Sequence, residues 1–361
     1  MKLTRPIFLR LAWALFVVVA ALVAHHFGLV GHGAGGEMLV GIGLSTTAFP
    51  VSPSLSAVAI GYRNPDIVLI ADEALPRVPT AKKFSYTKYG AAQGFTVPDT
   101  KVGRRSEPNM VDFGGTLIND EVEDHGLDDL VPNDDIKAWE DMAKPASGGP
   151  IDPRALSTMM LTSLVQLDRE VRVANTVFNA ANYVAANQQT LGGTSQWSDY
   201  ANSNPLYALL TALDSTLVRP NQMNIGQAAW TTLRQHPKIV QAVFKTQQGA
   251  GVVTRQALAE LLELEKINVG QAWVNTARKG QAPNYQRAWG KHCSLTFTSL
   301  QAAQLGQPCY GFTAQWGTRI AGALPEPKVG LRGGERVRSG ESVKEVISAP
   351  DAGYFFQNVI G

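Results

Sequence analysis

The sequence predicts an α+β fold with one long helix, a compact segment where strands and helices alternate, and a β-rich C-terminal return. Three observations carry that expectation. Apolar residues recur at spacings of four and three from Leu156 to Ala181, which puts one stripe on one helix. Between residues 205 and 285, leucine-faced stretches alternate with short apolar runs such as Met223–Gly226 and Ile267–Gly270, the pattern of helices packed on strands. Beyond Gly290 charged and apolar residues alternate, as in Glu335–Arg338 and Ser342–Ile347, which suits paired strands with one wet face.

The totals bound the rest. The chain has 361 residues, and 45% are hydrophobic, enough for one large domain or two ordinary ones. Charged residues make up 17%, below the usual quarter. That shortfall implies a surface partly covered, for instance by copies of the same chain. Lys plus Arg is 32 against 30 Asp plus Glu, a net charge of +2, which argues against a dedicated nucleic-acid binder. The 34 glycines and 20 prolines follow no period and read as turns. Cys293 and Cys309 have no metal-ligand spacing. They read as free thiols, with a disulfide as the alternative if that segment folds back as a hairpin.

Residues 1–44 differ from the rest. Lys2, Arg5 and Arg10 precede an apolar run from Leu11 to Ala24, short of the roughly 20 residues of a membrane span. Three readings stay open. The segment is a start codon assigned too early, with Gly35-Gly36-Glu37 the translation of a ribosome-binding site before Met38 and Leu44 an alternative start. Or it is a signal peptide or anchor. Or it is a soluble extension.

Ser45–Arg63 is Ser/Thr/Pro-rich and reads as an extended arm with a turn or two of helix. The prolines of Leu75–Pro79 favour extended backbone. In the next stretch Phe84 and Tyr86 alternate with Lys83, Ser85 and Thr87, a strand period. Gly94, Pro98, Gly103 and Pro108 punctuate a return. A long hairpin over 80–112 follows, with a basic tip at Lys101, Arg104 and Arg105. It has few apolar residues and needs a partner surface. Residues 119–141 are acidic, including Asp120, Glu121, Glu123, Asp124, Asp128, Asp129, Asp134 and Asp135. Their spacing does not fit a calcium loop. They read as a solvated charge run or as a docking face for the basic residues of a neighbouring copy.

After the Ser147–Pro150 break, Asp152 caps and Pro153 starts the long helix. It is expected over 153–186, roughly 45 Å long. Leu156, Met160, Leu164, Leu167, Val171, Ala174, Phe178 and Ala181 should face the core, with Asp168, Arg169, Glu170 and Arg172 outward. A helix over 205–218 ends before Pro220. Another runs from Gln227 to His236, and Thr254 caps a third. Strands are expected at Ser294–Phe297, Tyr310–Thr313, Glu335–Arg338 and Ser342–Ile347, with turns at Arg332–Gly334 and Ser339–Gly340.

Chemical motifs are lacking. The sequence has no G-x-x-x-x-G-K-[ST], H-E-x-x-H or G-x-S-x-G. His125, His236 and His292 are isolated and read as structural. Asp72-Glu73 has no partner motif. Arg332-Gly333-Gly334 is a phosphate nest or a hairpin turn. The expectation is a structural protein with no enzyme activity, cofactor or metal.

An ordered set of stretches then carries a family likeness: STTAFPVSPSLSAVAIGYRN, LIADEALPRVPTAKKFSYTKYG, GFTVPDTKVGRRSEPN, LDREVRVANTVFNAANY, GTSQWSDYANSNP, AAWTTLRQHPKIVQAV, FTAQWGTRIAG and KVGLRGGERVRSGESVKEVISAPDAGYFFQN. The sequence resembles the major capsid proteins of tailed bacteriophages with the Hong Kong 97 fold, in the Mu-like transposable branch. The resemblance covers residues 45–361. It implies an N-terminal arm (45–79) and an extended loop (80–112) lying over a neighbouring subunit. It further implies a peripheral domain (113–204) with its spine helix, an axial domain (205–290), and a β-rich return (291–361). The implied function is self-assembly from hexamers and pentamers into an icosahedral shell around the genome, in the virion after assembly in the host cytoplasm. Implied partners are a separate scaffolding protein, a portal, a maturation protease and packaged double-stranded DNA held weakly. Nothing assigns a lysine–asparagine crosslink. An encapsulin-like shell and a membrane-anchored extracytoplasmic binding protein are the rivals. The contact hypothesis pairs Lys101, Arg104 and Arg105 with Asp120, Glu121, Glu123, Asp124, Asp128 and Asp129 of the next copy.

Overall fold

A computed structural model describes residues 49–65, 67–88, 97–111, 115–142, 151–245, 249–304 and 309–361. The segment 1–44, Gly94 and the Ser147–Pro150 break lie outside the described residues. Ser52 accepts from the Leu55 N–H and Pro53 opens helix α1 (Pro53–Gly61), as a capped, proline-led start should. A single turn, α2 (Ala71–Ala74), leads to β1 (Arg77–Pro79), β2 (Lys83–Lys88), β3 (Thr116–Glu121), β4 (Glu123–Pro132) and α3 (Asn133–Met142). The long helix α4 (Pro153–Val177) starts at Asp152, whose carboxylate accepts from the Arg154 N–H at 2.9 Å.

The chain continues through β5 (Gln188–Thr190), α5 (Pro205–Ser215), β6 (Gln222–Gly226), α6 (Gln227–Arg234), α7 (Pro237–Phe244), α8 (Arg255–Leu262) and β7 (Lys266–Gly270). Then come β8 (Trp273–Asn275), β9 (Tyr285–Arg287), β10 (Cys293–Thr296), α9 (Leu300–Gln304), β11 (Gly311–Glu326), β12 (Gly334–Ile347) and β13 (Gly353–Gln357).

Two larger sheets organise these elements. One has the order β1-β11-β12-β4, and α4 lies across it. The other has the order β5-β13-β10-β6-β7, with β6 and β7 parallel and β10 antiparallel to both its neighbours. Leu209, Leu233, Ile239, Leu258 and Leu262 of the helices bury against Met223, Ile225 and Phe356 of that second sheet. The helix–strand alternation read for 205–285 is therefore one packed layer. Between the two sheets, Val173 and Val177 of α4 meet Trp289, Tyr310 and Phe355. Cys293 and Cys309 are free and buried.

Helix α4 departs from expectation in length and in facing. It has 25 residues and ends at Val177, not 186. Side chains from the following segment stop it. Asn182 Nδ2 donates to the Thr176 carbonyl at 2.7 Å, and the Tyr183 hydroxyl donates to that of Val177 at 2.7 Å. Satisfying the last carbonyls this way removes the gain from another turn. The expected stripe is also on the wrong side at its start: Leu156, Met160 and Leu164 are exposed, while Ser157, Leu161, Val165, Arg169 and Glu170 are buried. Arg169 and Glu170 thus point inward, not outward.

The cause is a paired polar set. Glu170 accepts from the Ile70 and Ala71 N–H groups at 2.8 Å each and from Trp289 Nε1 at 2.6 Å. Arg169 Nη1 donates to Asp72 Oδ1 at 2.6 Å, and its Nη2 donates to Thr313 Oγ1 at 3.0 Å. Arg77 bridges Asp72 at 2.7 Å and buried Glu341 at 2.8 Å, and Arg319 reaches Glu341 at 3.0 Å. Charges so partnered tolerate burial, and breaking one partnership leaves an uncompensated charge.

The β segments differ as well. Glu335–Arg338 and Ser342–Ile347 are one continuous strand, β12, with no turn at Ser339-Gly340. Gly340 lies opposite Gly126 of β4, where an added Cβ would sit 2.7 Å from the His125 carbonyl oxygen. That glycine serves a close approach of strands. Tyr310–Thr313 marks only the start of β11, a strand of 16 residues. The acidic run is largely strand, as β3 and β4. The helix read over 205–218 ends at Ser215, where Thr216 Oγ1 donates back to the Leu213 carbonyl at 3.2 Å.

His236 caps α7: its Nδ1 accepts from the Lys238 N–H at 3.2 Å, and its Nε2 lies 3.0 Å from Ser203 Oγ. Burial, helped by Lys238, pushes its pKa down to about 4, which keeps Nδ1 an acceptor.

Two stability outcomes follow. Glu170→Ala strands three buried donors, at about 1–3 kcal/mol each, so denaturant unfolding of the subunit should show a loss of about 3 kcal/mol or more. Burial alone would raise the Asp72 carboxyl, but Arg169 and Arg77 outweigh it and hold its pKa at about 2. Its folded pKa is below the unfolded value of about 3.9. Its contribution is therefore full above that value and is lost as pH falls towards 2. Melting followed from pH 5 down to pH 2 should show Asp72→Asn less acid-sensitive than the parent across that window, starting from a lower stability.

Candidate inter-subunit interface

β2 and β3 form a two-stranded ribbon; its outgoing strand falls within the hairpin expected over 80–112, and its return strand lies beyond that range. β2 pairs antiparallel with β3, from Lys83 opposite Glu121 to Lys88 opposite Thr116. The expected return within 94–111 is not a strand in its described part, because residues 97–111 are irregular. At the ribbon's base, alternation works as read. Phe84 and Tyr86 turn inward, and Tyr86 meets Phe312 edge-on at 6.2 Å between centroids. Val78, Phe312 and Val346 complete that anchor.

Residues 97–111, which follow β2 in the chain, are irregular and exposed. The Ser106 N–H donates to the Gly103 carbonyl at 3.0 Å, closing a turn that carries Arg104 and Arg105. Lys101, Arg104 and Arg105 are exposed, and among the described residues no ion pair holds them. Val97 is 89% exposed and Met110 100% exposed. Isolated apolar side chains are ordinary on a surface, but an exposed segment with several of them is typical of a contact site.

The structure does not bring this tip to the acidic run of its own chain, and it disposes of much of that run internally. Asp120 and Glu121 lie on β3, in the ribbon itself; Glu123, Asp124, Asp128 and Asp129 lie on β4, against β12. Lys344 Nζ reaches Asp120 at 2.7 Å and Glu123 at 3.3 Å. Arg338 forks onto Asp128 at 2.6 and 2.7 Å. Ser342 Oγ donates to Asp124 at 2.5 Å, and Ser157 Oγ donates to Asp129 at 2.7 Å. Glu121 lies 4.0 Å from Lys83. The hydrogen bond from Arg338 holds the Asp128 carboxyl below the usual carboxylate range. Burial alone would raise Asp120, and the hydrogen bond from Lys344 reverses that.

These intramolecular partners had a sequence signal. The alternating charges of 335–346 complement the acids of 120–129, as facing strands require.

The β4–β12 pairing also makes a surface feature that sequence reading missed. Gly126 and Gly340 leave the sheet floor bare between Trp316 and Ile320 on one side and Asp124 and Asp128 on the other. The result is an open groove of about 850 Å³, with Phe49 and Arg338 stacked at its rim, 5.1 Å apart. Its apolar wall complements a segment carrying apolar side chains, and its rim carries Asp124 and the Arg338–Asp128 pair.

No protein-family model matches the chain. It is 49% identical to the major capsid protein of Pseudomonas phage JBD67 over 318 residues, 88% of this chain and 99% of the relative. The chain belongs to the phage major capsid proteins. A second capsid protein of this family, from Burkholderia phage BcepMu, is 26% identical over 86% of this chain and 97% of its own length. A solved phage-related protein from Bordetella bronchiseptica superposes with a TM-score of 0.65 at 23% identity, covering 87% of this chain and 99% of that one. The α+β capsid fold implied by the sequence is therefore the fold observed. Among the described residues there is no group of acidic, histidine or cysteine side chains placed to hold a metal, and no helix is long and apolar enough to cross a membrane.

An exposed pair such as Arg338–Asp128 contributes little to folding. Asp128→Asn should lower subunit stability by no more than about 1 kcal/mol, measured by urea titration.

Proposed function

We propose that copies of this chain assemble, as hexamers and pentamers, into a closed icosahedral shell enclosing a phage genome. The observation that carries this reading is the two-stranded β2–β3 ribbon, anchored through Phe84 and Tyr86, together with the exposed segment 97–111, whose Lys101, Arg104 and Arg105 have no ion pair among the described residues. Such a ribbon gains stability only against another surface. We place it over the adjacent copy, in the groove between Trp316, Ile320, Asp124 and Asp128. Rim charges there set register and assembly rate more than affinity. Each contact is allowed to be weak because closed symmetry repeats it.

In this reading residues 45–79 are the arm, and 80–112, continued by β3, are the extended loop. Residues 113–204 and 291–361 form the peripheral domain, and 205–290 the axial domain. The exposed stripe of Leu156, Met160 and Leu164 is a further surface awaiting a cover in the assembly. A separate scaffolding protein, a portal and a maturation protease complete the pathway in the host cytoplasm, and the finished location is the virion. The net charge of +2 suits weak, non-specific contact with packaged DNA, because phosphate binding scales with the number of basic contacts. The role is structural, not catalytic. Similarity to two phage major capsid proteins favours this shell over an encapsulin-like one or an extracytoplasmic binding protein.

The test is reversal of both tip arginines. Arg104→Glu with Arg105→Glu should leave subunit melting unchanged and reduce particles, counted by negative-stain microscopy, by about tenfold or more. Normal particle yield from that variant would remove the tip from the interface.

A further inference from the structure

The five-stranded sheet ends at the edge strand β7, and the two ends of that strand carry opposite chemistry. The chain enters β7 from α8 through Glu263, Leu264 and Glu265. Asp214, Glu260, Glu263 and Glu265 are exposed around this entry. Arg219 is the cation they share, 3.3 Å from Asp214 and 3.0 Å from Glu263. Lys266 is engaged with Glu73. The entry end therefore keeps a surplus of negative charge.

The exit end is basic and aromatic. No Asp or Glu occurs from Lys266 to Pro325. At Gly270 the chain passes into the β8–β9 hairpin, where Trp273 pairs with Arg287 and Asn275 with Tyr285. Paired residues share a sheet face, so these four side chains lie together. The Arg287 guanidinium stacks 3.9 Å from the centre of the Trp273 ring. Trp273 is 51% exposed and Tyr285 64% exposed. Arg278 and Lys279 follow β8, exposed and without an ion pair among the described residues. Exposed Trp, Tyr and Arg on one face are the composition of a protein-binding hot spot.

The ends lie roughly 13 Å apart, at about 3.3 Å per residue. Ile267, Asn268, Val269 and Gly270 between them are buried. Two copies therefore cannot pair edge to edge along β7, and the charged ends are left to meet head to tail. A head-to-tail contact closes into a ring when its rotation permits.

We infer that the β8–β9 hairpin of one copy docks on the acidic α5–α8 end of the next, around the ring of each hexamer or pentamer. This rests on the shell reading and adds a contact distinct from the ribbon. Trp273 and Tyr285 supply the desolvated centre, and Arg278 and Lys279 meet Glu260 and Glu263.

The experiment is a charge swap in the full chain. Arg278→Glu with Lys279→Glu, and separately Glu260→Lys with Glu263→Lys, should each cut particle and ring yield about tenfold or more, with subunit melting preserved. Combining all four substitutions should restore assembly. If either one-sided reversal assembles normally, or the combination fails to recover, the docking is wrong while wild-type particles still support the shell. If hairpin-reversed particles form normally but hold less DNA, the hairpin is a nucleic-acid contact and the inference is overturned. Wild-type chain that yields no particles removes the shell reading, and this inference falls with it.

Discussion

Glu170 takes three hydrogen bonds deep inside the chain, from two successive backbone amides at Ile70 and Ala71 and from the Trp289 indole. Those donors come from the start of α2 and from the segment just before β10. One residue earlier, Arg169 ties Asp72 and Thr313 to the same helix. The facing of α4 follows from this pair. With both inward, rotation about the helix axis is fixed, and with it the face that α4 turns to β12 and β4. Burial pushes Glu170 up, while its three donors pull it back.

Once α4 is fixed, the surface charges differ in whether they have a partner within the subunit. Asp120, Asp124, Asp128 and Asp129 are used within it, by Lys344, Ser342, Arg338 and Ser157. Lys101, Arg104, Arg105, Arg278 and Lys279 are exposed and have no ion pair among the described residues. Large apolar side chains follow the same division. The stripe that reads as core on α4 begins on the outside, next to a buried face that is partly polar. For a lone protein that arrangement would invite aggregation. In the proposed shell, neighbouring copies cover that face. The low charged fraction of 17% is the same fact stated in composition.

Local rules decided much at the sequence level. Asp152-Pro153, Ser52-Pro53 and Thr254 mark helix starts because a side-chain acceptor or a preset φ acts within one turn. The alternation at Phe84 and Tyr86 gives β2 and its buried face. The leucines of 205–262 give the helices that bury the second sheet. The likeness to capsid proteins, and with it the fold class, also comes from the sequence by itself.

Tertiary structure alone decided whatever depended on a distant partner. The facing of α4 was misread because its apolar period extends onto an exposed face, and only Ile70, Asp72 and Trp289 make Arg169 and Glu170 inward residues. The acidic run is strand from Glu123 to Pro132 because β12 lies beside it. Ser339-Gly340, a turn by local rule, is mid-strand because Gly126 faces it across the ladder. The same pairing made the groove. Periodicity records the spacing of apolar residues along one element; it carries no information on which buried charges a distant segment will satisfy, and here those charges set the orientation.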